Sequence, residues 1–332
     1  MYAMSEVGRQ VHASAIVIDG LNVSNWENDT VFEGLRSGGV TAINATVTVL
    51  GNFRTTMEAI AAWQRRFERL SHLITQVKTV ADIGRAKSDG KVGIIFGFQN
   101  SSPIEDDLHL LSLFYALGVR IMQLTYNDRN FVGDGCLERT DCGLSDFGLE
   151  LIGEMNRLGI LIDLSHVGYR TTMEAIEASR QPVAFTHAGP RALFDHPRNK
   201  TDEQLKALAR NGGVVGANAW PPILAAGNKA TISDFVDTID YMIHVIGDDH
   251  VGLGLDYTES CTETDLRKWM MAKSKQKWSM KVDYPTIYPD GMRSAREFGN
   301  ITNELVRRGY SQESVLKVMG GNFLRLFKEV WR

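Results

Sequence analysis

Eight short apolar runs, each closing on a polar residue, recur along this chain at wide spacing. They begin at Ala15 (AIVIDGLN), Val40 (VTAINATV), Val92 (VGIIFGFQ), Val119 (VRIMQLTYN), Gly159 (GILIDLSHV), Pro182 (PVAFTHAG), Gly212 (GGVVGANAW) and His250 (HVGLGLDYT). Near-continuous apolarity over a short stretch fits strands buried on both faces, as in a parallel sheet. Between the runs lie stretches with helical periodicity, such as Met57, Ile60, Phe67 and Leu70, or Leu149, Ile152, Met155 and Leu158. Thr201 with Gln204 forms a capping box, and Gly159 directly after Leu158 marks a helix end before a strand.

Strand and helix alternating eight times in 332 residues predict an α/β fold, a (β/α)8 TIM barrel, with an open parallel sheet as the alternative. One domain is expected over 1–332, with an irregular insertion at about 259–293 after the eighth run and C-terminal helices within 312–330. The helices, Gln312 to Met319 and Asn322 to Val330, flank Gly320 and Gly321 and are expected to close the barrel's bottom or side. The insertion carries Trp269, Trp278, Tyr284 and Tyr288, and reads as a lid or subunit contact, or as a surface excursion packing its own aromatics.

Charge and motif content exclude several functions. Lys and Arg number 36 against 40 Asp and Glu, a net charge of −4, which lacks the basic footprint of a nucleic-acid binder. The first apolar run stops at Asp19, and no segment approaches the roughly 18 apolar residues of a spanning helix, so neither export nor a membrane partner is expected. Cys136, Cys142 and Cys261 form no Cys-x-x-Cys motif and read as reduced thiols of a cytoplasmic protein. No GxSxG or Walker-type sequence occurs, and GLGLD at Gly252 to Asp256 lacks the glycine and helix start of a dinucleotide loop.

A parallel barrel gathers its strand C-termini at one mouth, which here would carry Asn22, Gln99, Tyr126, His166, His187, Asn218 and Asp256. A lone histidine after an apolar run is usually structural, but two ending successive strands can share one Zn²⁺. Asp256 could ligate that metal or accept a proton from water. The TYNDRNFVGDG stretch adds Asn127, Asp128, Arg129, Asn130 and Asp134. It reads either as a reader of a small zwitterionic ligand or as a self-bonded turn.

On VIDG from Val17, LGVRIMQLTYN from Leu117, GLSDFGLELIGEMNRLGILIDLSHV from Gly143, FTHAGPRAL from Phe185 and GGNFLRLF from Gly320, the chain resembles the membrane dipeptidase (renal dipeptidase-like) metallopeptidases of the amidohydrolase-type barrels. The resemblance implies that His166 and His187 bind one zinc. It implies that Arg198, in HPRNKTDEQL, clamps a substrate carboxylate and that Asp256 lies beside the metal. A homodimer is a further implication.

The chain departs from that family at three ligand positions. The first strand reads DGLNV where the family has DGHND, so Leu21 and Val23 replace a His-x-Asp pair. Gln99 stands for a bridging glutamate, and Tyr126 for a substrate-facing histidine. Losing two carboxylates leaves a second divalent cation uncompensated in a partly dehydrated pocket. The expectation is one zinc per chain at most, or none, with Gln99, Asn22, Tyr126 and Asn127 facing a carboxylate-bearing small substrate. That describes a dipeptidase-like hydrolase of a small amino-acid-derived amide. The alternative is a metal-free small-molecule-binding protein or a catalytically repurposed homologue.

Overall fold

The computed structural model describes residues 3–270 and 286–332, without the side chains of 268–270. Each of the eight apolar runs forms a strand: β1 Ile18–Asn22, β2 Ala42–Thr48, β4 Val92–Phe98, β5 Val119–Gln123, β6 Leu161–Asp163, β7 Ala184–Ala188, β8 Val214–Ala217 and β9 Val251–Leu253. A short extra strand, β3 Ile74–Val77, intervenes in the chain. The order is β2-β1-β9-β8-β7-β6-β5-β4-β3, and β2 also pairs with β4, so the sheet closes into a barrel rather than staying open. All these pairings are parallel. β3 pairs with the first half of β4, up to Val77 opposite Ile95, and β5 with the second half, from Phe96 onward. At four residues with two only partly buried, it is too short and too polar to have stood out as an apolar run.

The floor of the barrel is apolar because alternate strand residues point inward. Ile18, Ala42, Ile95, Ile121, Leu161, Ala184 and Val214 meet Phe323, Leu326 and Phe327 of the C-terminal helix Asn322–Val330, which thus plugs the bottom. Gly20 and Gly252 make room for that plug, since a Cβ on either would lie 2.7 or 2.8 Å from the Phe323 ring. Phe323 is fully buried. Phe323→Ala is therefore expected to cost about 3–5 kcal/mol in chemical denaturation. A loss below about 1 kcal/mol would show that the floor does not depend on this ring. Two residues further along the same strands stand Asn44, Gln123, Asp163 and Thr186, and there the polar mouth begins.

Outside the barrel, helices cover the sheet through Ile60 and Trp63 of Phe53–Arg69 and Leu151, Ile152 and Met155 of Asp146–Leu158. Leu149 is exposed instead of facing inward. Positions spaced by three fall back 60° per step on a helix turning 100° per residue, so Leu149 and Leu158 end on opposite sides. The capping box at Thr201 is present, and Gly159 closes its helix at φ +81. After β9 the chain forms a helix, Glu263–Met270, and is next described from Thr286. Trp278 and Tyr284 lie outside the described residues, as does the side chain of Trp269. No helix among the described residues is long and apolar enough to cross a membrane.

Candidate active site

The C-terminal ends of β6 and β7 bring two histidines together. His166 follows β6 by three residues and His187 lies within β7, and their Nε2 atoms face each other at 3.0 Å. Both side chains are buried. Loss of hydration, reinforced by the Arg198 guanidinium, holds both imidazoles well below the usual histidine range, so they are neutral at neutral pH.

Hydrogen bonds fix where their single protons sit. Asp163, on β6, accepts from Ser165 N at 3.0 Å, Ser165 Oγ at 2.5 Å, Thr186 N at 3.0 Å and Thr186 Oγ1 at 2.7 Å. Because the Thr186 hydroxyl proton is committed to that carboxylate, Thr186 Oγ1 can only accept from His187 Nδ1, 2.9 Å away. His166 Nδ1 likewise donates to Asn127 Oδ1 at 2.7 Å. With Asp163 ionised and accepting all four protons, each Nε2 carries a lone pair, and the two lone pairs are aimed at each other.

Two cations on the loop after β7 hold the strand ends in place. Arg198 donates from Nη1 to Ser165 O at 2.5 Å and from Nη2 to His187 O at 3.1 Å. Lys200 donates to Leu164 O at 2.8 Å and Val167 O at 3.1 Å, with its ammonium 4.9 Å from the centre of the Phe185 ring. The carbonyls on both sides of His166 are thus taken up by one loop. Three of the five guanidinium N–H groups of Arg198 have no acceptor among the described residues.

Tyr126 stacks on His166, ring centres 4.2 Å apart and 23° from parallel, and its hydroxyl has no hydrogen-bond partner among the described residues. Gln99 gives its amide N–H to Thr46 Oγ1 at 3.0 Å. Asn22 is tied inside the protein, donating to Asp19 at 3.1 Å and accepting from Ser24 N at 3.2 Å. Asp256 stands across the mouth in a left-handed backbone at φ +58, and Asn218 Nδ2 reaches its carboxylate at 3.3 Å. Lost hydration pushes its pKa up to about 7 although Arg198 opposes the rise.

The stretch after β5 is mostly a self-bonded turn. Arg129 pairs with Asp134, and Asn130 donates to Leu124 O at 2.8 Å and accepts from Val132 N at 2.8 Å. Asn127, at φ +63, turns to His166 beside the stacked Tyr126 ring. Cys136 Sγ lies 3.5 Å from the same Asn127 oxygen, and burial raises its thiol pKa. Asp163, Thr186, Ser165 and Lys200 were missed in the sequence; polar residues inside or beside the apolar runs ILIDLS and AFTH were the signal for the first three.

The two imidazole nitrogens have the spacing of ligands to one metal ion. A tetrahedral zinc holds neighbouring ligand nitrogens about 3.3 Å apart, close to the observed imidazole spacing. Leu21 and Val23, which carry no ligand atoms, are buried at the end of β1 and just after it. Among the described residues no group of three or more His, Cys, Asp or Glu side chains could hold an ion.

Comparison with known proteins places these features. The family model described as membrane dipeptidase, peptidase family M19, matches residues 9–270 and 279–332. An uncharacterized dipeptidase of Schizosaccharomyces pombe is 31% identical over 83% of this chain, which spans 62% of that relative's length. The crystal structure of an amidohydrolase from Pseudomonas aeruginosa is 41% identical and superposes with a TM-score of 0.93 over 98% of this chain and 99% of the other. A metallo peptidase from Rhodobacter sphaeroides, liganded with a phosphinate mimic of the dipeptide L-Ala-D-Ala, shares the fold at 20% identity and a TM-score of 0.80, over 96% of this chain and all of the other.

Proposed function

This chain belongs to the membrane dipeptidase family, and from that premise we propose that it hydrolyses a small dipeptide-like or N-acylated amino-acid amide, with one zinc ion held by His166 and His187. The observation that carries the reading is the pair of bare Nε2 atoms 3.0 Å apart. Two lone pairs at that distance repel, and their spacing suits two nitrogen ligands of one tetrahedral zinc, whose bonds to both would offset the repulsion.

When bound, zinc supplies Lewis acidity toward the scissile carbonyl. The remaining chemistry falls to side chains of this chain. Asp256, its pKa near neutrality, takes a proton from the attacking water at one carboxylate oxygen and returns it to the leaving amine. Asn218 holds the carboxylate in place. The free donors of Arg198 pair with the substrate carboxylate, and the Tyr126 hydroxyl and the Gln99 carbonyl oxygen face the amide. Asn127 orients His166 through its Nδ1 proton. The same reading carries a homodimer inside the cell, with no nucleic-acid or membrane partner.

Elemental analysis of untagged protein purified without chelators and supplied with zinc tests it, together with hydrolysis of a panel of dipeptides and N-acyl amino acids. About one zinc per chain with turnover is expected. Two zinc ions per chain would overturn the single-ion site and mean that Gln99, Asn22 or the Cys136 loop supplies ligands. No zinc would leave a metal-free binder of carboxylate-bearing molecules.

A further inference from the structure

Asp256 holds a left-handed backbone, uncommon for a non-glycine residue, with its N–H and its carbonyl both hydrogen-bonded. Its N–H donates to Leu21 O on β1 at 3.0 Å. Its carbonyl accepts the hydroxyl proton of Tyr288, a buried residue from the far end of the insertion after β9. The Tyr288 ring packs on Tyr257 with centres 4.8 Å apart, and its oxygen lies 3.4 Å from Thr258 Oγ1. With its own proton given to Asp256, that oxygen can only accept from Thr258.

Tyr288 is itself held from both sides. Two residues on, Asp290 donates to Ala230 O and accepts from Ile232 N, both at 2.8 Å, which fastens the segment to the start of the helix Ile232–Ile246. Tyr257 OH donates to Met292 O at 2.7 Å, and Glu259 accepts from Ala295 N. The hydroxyl therefore reaches the strand end from a fixed post.

We propose that Tyr288 is a positioning residue: its hydroxyl clamps the Asp256 carbonyl, keeps that residue left-handed, and so aims the carboxylate at the mouth. The proposal rests on the reading of Asp256 given above. It makes the return of the insertion part of the active-site framework rather than a surface excursion.

Tyr288→Phe keeps the ring and removes only the clamp. It is expected to lower kcat about ten- to a hundredfold, with KM within about twofold and zinc content unchanged, because a small misaiming of a reacting group has effects of that size. A thermal cycle with Asp256→Gly gives a readout that needs no turnover. Glycine is unstrained at positive φ and keeps the same carbonyl, so Tyr288→Phe should lower Tm by about 2 °C in the Asp256→Gly background, where only the hydrogen bond is lost, and by less than half of that in the wild-type background, where Asp256 can relieve its strain by leaving the left-handed region. An unchanged kcat, or equal Tm shifts in both backgrounds, overturns the proposal. If Asp256→Asn keeps full activity, or the wild type turns over no substrate, the functional reading fails while the thermal cycle still decides the clamp.

Discussion

Asp256→Asn is expected to lower kcat by about 10²- to 10⁴-fold, the usual contribution of a positioned general base. Affinity for a phosphinate dipeptide mimic should remain within about threefold of wild type. Asparagine keeps the size of the side chain and its reach toward Asn218, which sits 3.3 Å from the carboxylate, but cannot take the proton. A residue that acts only on the chemical step changes kcat and kcat/KM together, whereas one that merely binds substrate raises KM. Single-turnover kinetics beside isothermal titration with the phosphinate separates the two cases. Full turnover in the variant would remove Asp256 from the mechanism. Equal losses of turnover and of phosphinate affinity would make it a binding group.

The second large effect concerns stability and comes from Lys200, a fully buried ammonium on the loop that secures the histidines. Loss of hydration pushes its pKa down from 10.5 to about 7, with Cys136 opposing the shift and Arg198 adding to it. The folded lysine is then neutral above about pH 7, while the unfolded one stays charged up to about 10.5. Over that window the unfolded state binds the extra proton, so stability rises with pH by about 1.4 kcal/mol per unit. Unfolded cysteines and tyrosines lose protons at higher pH and counter the rise, which leaves pH 7 to 8.5 as the range to measure. Denaturant unfolding of wild type is expected to gain about 2 kcal/mol across it relative to Lys200→Met, which has no titrating group at this position. Parallel curves for the two proteins would mean that Lys200 remains charged throughout.

The apolar runs and their polar ends made much of this molecule readable. A strand buried on both faces must be apolar along its length, and a parallel barrel must collect its strand ends at one mouth. That requirement placed Asn22, Gln99, Tyr126, His166, His187, Asn218 and Asp256 near one another from residue order alone. The same local logic failed for β3, four residues long and half polar, and for Leu149, whose spacing of three drifts around the helix.

By itself the sequence determined the strands, the closed count of eight and the pair of histidines, because each is a matter of residue type or short-range period. Only the tertiary structure decided how the polar groups spend their protons. Thr186 reaches Asp163 across 23 positions, Arg198 the Ser165 carbonyl across 33, and Tyr288 the Asp256 carbonyl across 32. A hydrogen bond depends on the position and direction of both partners, and across such separations only the folded chain sets them. The direction in which each imidazole presents its lone pair is therefore a property of the assembled barrel.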